Sequence, residues 1–289
     1  MKNPDIQDPL FRRAVEAIDS GDLGLLQELV GKHPSLVTAR LDSPTGDYFD
    51  SPYLLWFVAD NPIRSGELPH NIVEITAMLA DSVKRYAPET AQQQLDYALG
   101  LVATGRTPHE SGRQLGMMDA LIDAGAKPGT GNSALAHGNI DAAKHLIERG
   151  GMLSLPVAVA LEQMDDVQRL LPLAAPAEKL TALTVAAFYG KPDMVFRLLE
   201  AGADTNGYPD KNSGFHSHAT PLHQAVSSGS LSCVKLLAEH DAGTGTKDTI
   251  YGGTALDWAE HLQRETADES LKNKYQAIAE YLRGLTVNA

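Results

Sequence analysis

One pattern recurs along almost the whole chain and limits what it can fold into: a short apolar stripe, a turn, then a second stripe. It is clearest where Leu222, Ala225 and Val226 precede Gly229, and Val234, Leu237 and Ala238 come after it. Thr220 and Pro221 open the first stripe, a hydroxyl to cap free backbone N–H groups and a ring that fits the first helical position. Gly229 ends it. Each stripe predicts a helix of about eight to ten residues, which is marginal alone because helix nucleation is costly. Such a unit needs a like unit on either side, so the chain is expected to stack.

The other copies supply the neighbours. Leu183, Ala186 and Gly190 repeat the first stripe, with Val195, Leu198 and Leu199 as the second; Leu256 and Ala259 begin another copy. Near the N-terminus the frame is carried by Ala14, Ala17 and Gly21, then Leu26, Leu29 and Val30. Gly131, Ala134 and Gly138 lead into Ala143, Leu146 and Ile147, and Leu155 with Ala158 leads into Val167, Leu170 and Leu171. Two further copies, "YLLWFVADN" with "NIVEITAMLA" and "YALGLVATGR" with "QLGMMDALIDAGA", hold insertions between their helices. The frame residues Ala14, Leu55, Leu99, Gly131, Leu155, Leu183, Leu222 and Leu256 lie 41, 44, 32, 24, 28, 39 and 34 residues apart.

The motifs "TPLH", "LLEAGADTN" and "YGGTALDWA" make the chain resemble the ankyrin-repeat family, and in particular bacterial ankyrin-repeat proteins. The resemblance covers about residues 10 to 285. It implies an all-α solenoid of about eight stacked helix-turn-helix units with short β-hairpin fingers, whose concave side binds proteins. The whole of 1–289 is expected to be one ankyrin-repeat domain. Its units run approximately 10–40, 51–86, 94–128, 129–152, 153–178, 180–208, 218–248 and 251–285. The short spacings of 24 and 28 predict reduced or missing fingers, and a bend, near residues 150 to 180, where "LPLAAPAEKL" sets two prolines against any regular ladder.

Composition sets the class of partner. A formal charge of −13 argues against nucleic acid, whose phosphates are bound through Lys and Arg. The apolar runs are far shorter than the ~20 residues of a membrane helix. The first residues, "MKNPDIQDPLFRR", show no basic stretch leading into an apolar run, so a secretory signal is not expected. A single cysteine, Cys233, suits a reducing compartment and a packed side chain. The expectation is a cytoplasmic, cofactor-free, non-enzymatic protein, a monomer in preference to an oligomer, that binds a protein partner.

The resemblance also places candidate contacts. Finger tips and the residues before the first-helix glycine line the concave groove in the family, and here these are Phe188 and Tyr189, Phe215 to His218, and Ile250 with Tyr251. The equivalent pair in the fourth unit is Ala136 and His137. Aromatic residues anchor protein interfaces, so Phe188, Tyr189, Phe215 and Tyr251 are expected to form one stripe. Folding back onto neighbouring repeats is the competing expectation.

Two other readings are carried. The insertions "NPIRSGELPHN" and "RTPHESGRQ" bring Arg64, His70, Arg106, His109 and Arg113 to one edge, a possible anion site or a pair of ordinary solvent loops. "FHSHATPLH" sets His216 and His218 two apart, with Asp204 upstream, as a metal site would; His223 belongs to "TPLH", where the family uses it structurally. No metal is expected. A small-ligand or metal-binding protein is thus the first alternative, and a homo-oligomer that buries the aromatic stripe against itself is the second.

Overall fold

The computed structural model describes residues 6–41 and 51–287, with side chains to residue 285. The reading of the first residues as lacking a secretory signal falls partly outside the described residues. The chain divides into two compact units, Met1–Met152 and Leu153–Ala289.

The first unit contains α1 (Pro9–Ser20), α2 (Leu23–Lys32), α3 (Ser35–Thr38), a 3-10 helix (Leu54–Ala59), α4 (Ile72–Tyr86), α5 (Ala91–Thr104), α6 (Arg106–Glu110), α7 (Gln114–Ala124), α8 (Asn132–Ala136) and α9 (Ile140–Glu148). One layer runs α1, the 3-10 helix, α5 and α8; the other runs α2, α4, α7 and α9. Caps fix the starts. Asp8 accepts from the N–H groups of Leu10 and Phe11 ahead of α1, and Asp22 accepts from Leu25 ahead of α2.

The second unit contains α10 (Leu155–Ala160), α11 (Met164–Leu170), α12 (Pro176–Phe188), α13 (Pro192–Glu200), α14 (Pro221–Ser227), α15 (Leu231–Glu239), α16 (Ala255–Glu265) and α17 (Glu269–Val287). Here α10, α12, α14 and α16 pack in order, and each packs on its own second helix. Outside them, α13 packs on α15 and α15 on α17. Leu222 and Val234 are thus fully covered, within a core that runs from Leu155 to Leu282. Burying one such leucine contributes about 1.5–3 kcal/mol, which the isolated helix pair could not realise. In α17, Tyr275, Ile278 and Leu282 face this core while Lys274, Glu280 and Arg283 are exposed.

Turn chemistry tracks the repeat. Gly190 and Gly229 end α12 and α14 with φ of 60° and 68°, the left-handed region open to glycine. Glu162 holds the same position after α10 with φ 55°, a non-glycine residue in strained backbone.

The all-α expectation holds, but the fingers differ from regular hairpins. Among the described residues the sole antiparallel bridge joins Lys247 and Thr254. Side chains rather than ladders hold the tips: Asp204 accepts from the N–H of Asn206, and Asn206 bonds Asp241 and Gly243 in the next turn. Between α11 and α12 only residues 171–175 intervene, and Pro176 occupies the first helical turn of α12. No described helix is long and apolar enough to cross a membrane.

Candidate functional site

In the second unit, aromatic rings from three repeats and their connecting loops meet in a row. Tyr189 lies perpendicular to Phe188, with centroids 5.0 Å apart, and Phe188 lies edge-on to Phe215 at 5.5 Å. His216 touches both, at 5.2 Å from Phe188 and 4.9 Å from Phe215. His218 continues the row 5.6 Å from His216 and 6.1 Å from Trp258, which packs against His223. Edge-to-face pairs of this kind are each worth about 0.5–1.5 kcal/mol beyond burial.

The expected stripe is therefore only partly open. Phe215 is buried, at 5% exposure, which corrects its assignment to an exposed groove. Its ring gains more from Phe188 and His216 than from water, and Gly214 lets the loop turn back, with φ 73°. Phe188, Tyr189, His216 and His218 are half-buried. Burial pushes the Tyr189 hydroxyl pKa up, so the ring stays neutral. Ile250 and Tyr251 stand out at 63% and 80% exposure. His137 belongs to the first unit; it is exposed, and its Nδ1 lies 2.9 Å from the Ser133 carbonyl of its own helix.

One buried carboxylate holds the tip that carries Ile250 and Tyr251. Asp248 is 3% exposed. Its Oδ1 accepts from the N–H groups of Ile250 (2.9 Å) and Tyr251 (2.6 Å). Its Oδ2 accepts from Gly253 N–H (2.8 Å) and the Trp258 indole (3.0 Å). Desolvation opposes the charge, but these four donors outweigh it and bring the Asp248 pKa down to about 2. The Thr249 N–H also donates to the His218 carbonyl, tying this tip to the previous finger.

Beside Tyr251 lies an open groove of about 390 Å³. Trp258, His261 and Leu262 of α16 form one wall, with Ser227 of α14 opposite and Tyr251 and Asp257 at the rim. Phe188, Ser227 and His261 occupy the same place in successive repeats, five residues past Leu183, Leu222 and Leu256.

His223 is structural in this unit. Its Nε2 donates to the Gly253 carbonyl (3.1 Å) and its Nδ1 meets the Thr220 hydroxyl (2.8 Å), so both nitrogens are engaged. Burial lowers its pKa despite the Gly253 bond. Among the described residues no group of three or more His, Cys, Asp or Glu is placed to hold a metal ion. Cys233 is buried and its thiol pKa is raised by burial, against the Ser230 hydroxyl that lowers it.

Of the five residues of the possible anion site, Arg64 is buried and already paired. Arg64 is the clearest correction: its side chain is 2% exposed and stacks over Phe57, with the guanidinium carbon 5.2 Å from the ring centroid. The guanidinium donates to Asp19, at 2.5 to 3.0 Å, and to the Phe57 carbonyl. A buried cation must be paired, and Asp19 leaves none of it for a ligand. Asp60, 1% exposed, gathers the same loop by accepting from Arg64 N–H, Gly66 N–H and the Thr107 hydroxyl. The two insertions do touch, since Arg113 donates to the His70 carbonyl (3.1 Å). Arg106 points to solvent near Glu110 (3.8 Å), and His109 lies 3.4 Å from Gln114.

Sequence reasoning missed Asp248, Trp258, Asp60 and Asp19. A signal existed for the first: an Asp two to five residues before "YGG" is a turn-forming acceptor. Trp258 lay inside "TALDWA", where it served only to set the repeat frame. Asp19 had no local signal, because its partner is 45 residues away, whereas Asp60 is a local turn acceptor for the N–H groups of Arg64 and Gly66.

A family model described as ankyrin repeats, in three copies, matches residues 112–248 and again residues 185–282. Together the matches span more than half of the chain and take in α12 to α16, the repeats that carry the aromatic row. The chain belongs to the ankyrin-repeat family.

Proposed function

We propose that this chain binds a protein partner through the ring-lined face of residues 180–262, with Ile250 and Tyr251 as its projecting contacts. Ankyrin repeats are generally protein–protein interaction modules. The observation that carries the reading is an exposed Ile–Tyr pair on a tip fastened by Asp248, beside an open groove that shares Trp258 with the aromatic row. Large apolar residues on a fastened turn bind with little ordering cost, and aromatic anchors carry most interface energy.

In this reading the chain acts as a monomer in the cytoplasm, with no cofactor and no catalytic role. The acidic balance favours a protein over a nucleic acid. The test is a pull-down from the native cell with wild type and an Ile250→Ser/Tyr251→Ala pair, both checked by circular dichroism. The wild type retains a specific protein and the folded pair loses it. Equal capture by both would remove this face from the account.

A further inference from the structure

We infer that the groove beside Tyr251 receives one large apolar side chain of a partner segment in which Lys or Arg flanks that residue. The inference rests on the proposed protein-binding role and names the chemistry of the partner.

Three observations lead to it. The groove, about 390 Å³, falls in the ~300–1,000 Å³ range of ligand clefts. Its wall is the Trp258 ring and Leu262, and its rim is the Tyr251 ring, so an apolar or aromatic side chain gains contact on two sides. The polar rim is acidic: Asp257 is exposed, and the N–H and hydroxyl of Thr254, both 2.8 Å away, favour its charged form. No Lys or Arg is among the described residues that line the groove. Lys247, the one cation acting on Asp257, sits across the turn at the bridge to Thr254. Glu260, on the same helix, is already bonded to Arg283 (2.8 Å).

Charge decides between occupants. A second copy would bring another −13 and a second Asp257 against the first. A nucleic acid would bring phosphates against the same carboxylate. A basic segment is steered towards it, and the apolar anchor supplies the affinity that an exposed ion pair alone does not.

The test uses the full chain and fluorescein-labelled 12-residue peptides in anisotropy titrations. One peptide carries a central Trp between two Arg residues, a second replaces Arg with Glu, and a third keeps Arg but replaces Trp with Ser. The first is expected to bind, at least tenfold tighter than the other two, and to weaken as salt rises from 25 to 300 mM. Tyr251→Ala and Asp257→Asn are each expected to weaken it at least fivefold, the Asn retaining an oxygen for the Thr254 bonds. Asp193→Asn, at an exposed position of α13, removes the same charge elsewhere and is expected to leave binding unchanged. Equal or tighter binding of the Glu peptide, no binding of the Arg–Trp peptide, or indifference to both groove substitutions would overturn the inference. If any of these occurs while the Ile250→Ser/Tyr251→Ala pair still loses the cellular partner, the binding face stands and only its assigned chemistry falls.

Discussion

Replacing Asp248 with alanine removes the acceptor for four donors at once: the N–H groups of Ile250, Tyr251 and Gly253 and the Trp258 indole. Ile250 and Tyr251 lie at an exposed tip, so their N–H groups can turn to water. Gly253 and the half-buried Trp258 lose bonds that water replaces poorly. A hydrogen bond to a charged group contributes about 1.5–3 kcal/mol, so two such losses come to about 3 kcal/mol at the low end. Stacked repeats open locally, and the loss is best read locally. At about 1.4 kcal/mol per decade, amide exchange of residues 248–258 should accelerate about 100-fold in Asp248→Ala, and several-fold in Asp248→Asn. The carboxylate pKa near 2 adds a sign. A lowered folded pKa means the contribution is whole above the ordinary value of 3.8 and is lost as pH falls through 2, so the tip stays closed at pH 4. Exchange at Gly253 and Trp258 that is unchanged in Asp248→Ala would refute this view of the tip.

Three other outcomes are expected on the same physical grounds. Arg64→Ala removes the partner of the Asp19 carboxylate and the buried guanidinium over Phe57, while Asp60 keeps its backbone and Thr107 donors, and urea unfolding of the first unit should show a loss of about 3–5 kcal/mol. Glu162→Gly relieves left-handed strain of about 1–2 kcal/mol against a pair with Lys191 (2.9 Å) whose carboxylate end is exposed, so thermal unfolding should shift upward; a downward shift would contradict it. His223 has a lowered folded pKa, so the unfolded chain binds its proton first. Stability of the second unit should fall as pH drops below the ordinary value of 6.5, and a His223→Gln chain should lack that part of the slope in denaturant titrations at pH 7 and 5.

The helices were legible because their causes are local. Pro221 and Gly229 mark the start and end of α14, and the stripe Leu222, Ala225 and Val226 is the side it buries, but the Thr220 hydroxyl, expected to cap the helix N–H groups, pairs with His223 Nδ1 instead. Pro176 shows where local reading stopped: proline excludes a ladder, and whether it then breaks the chain or starts a helix depends on the residues C-terminal to it. Here it begins a thirteen-residue α12. The site was legible in residue type but not in exposure. Phe188, Phe215 and Tyr251 were alike expected to line the groove, yet the Gly214 turn folds Phe215 inward while Asp248 holds Tyr251 out. Arg64 failed for a like reason, since its neighbour Asp19 is 45 residues distant and nothing near Arg64 announces it.

The central claim is that a protein is held at the face marked by Tyr251, and site-specific photo-crosslinking tests it most directly. A photoreactive phenylalanine is placed at 251 in one chain and at exposed position 196, on the outer helix α13, in another. The account predicts one discrete adduct from 251 and none from 196. The same adduct from 196, with 251 silent, would contradict it.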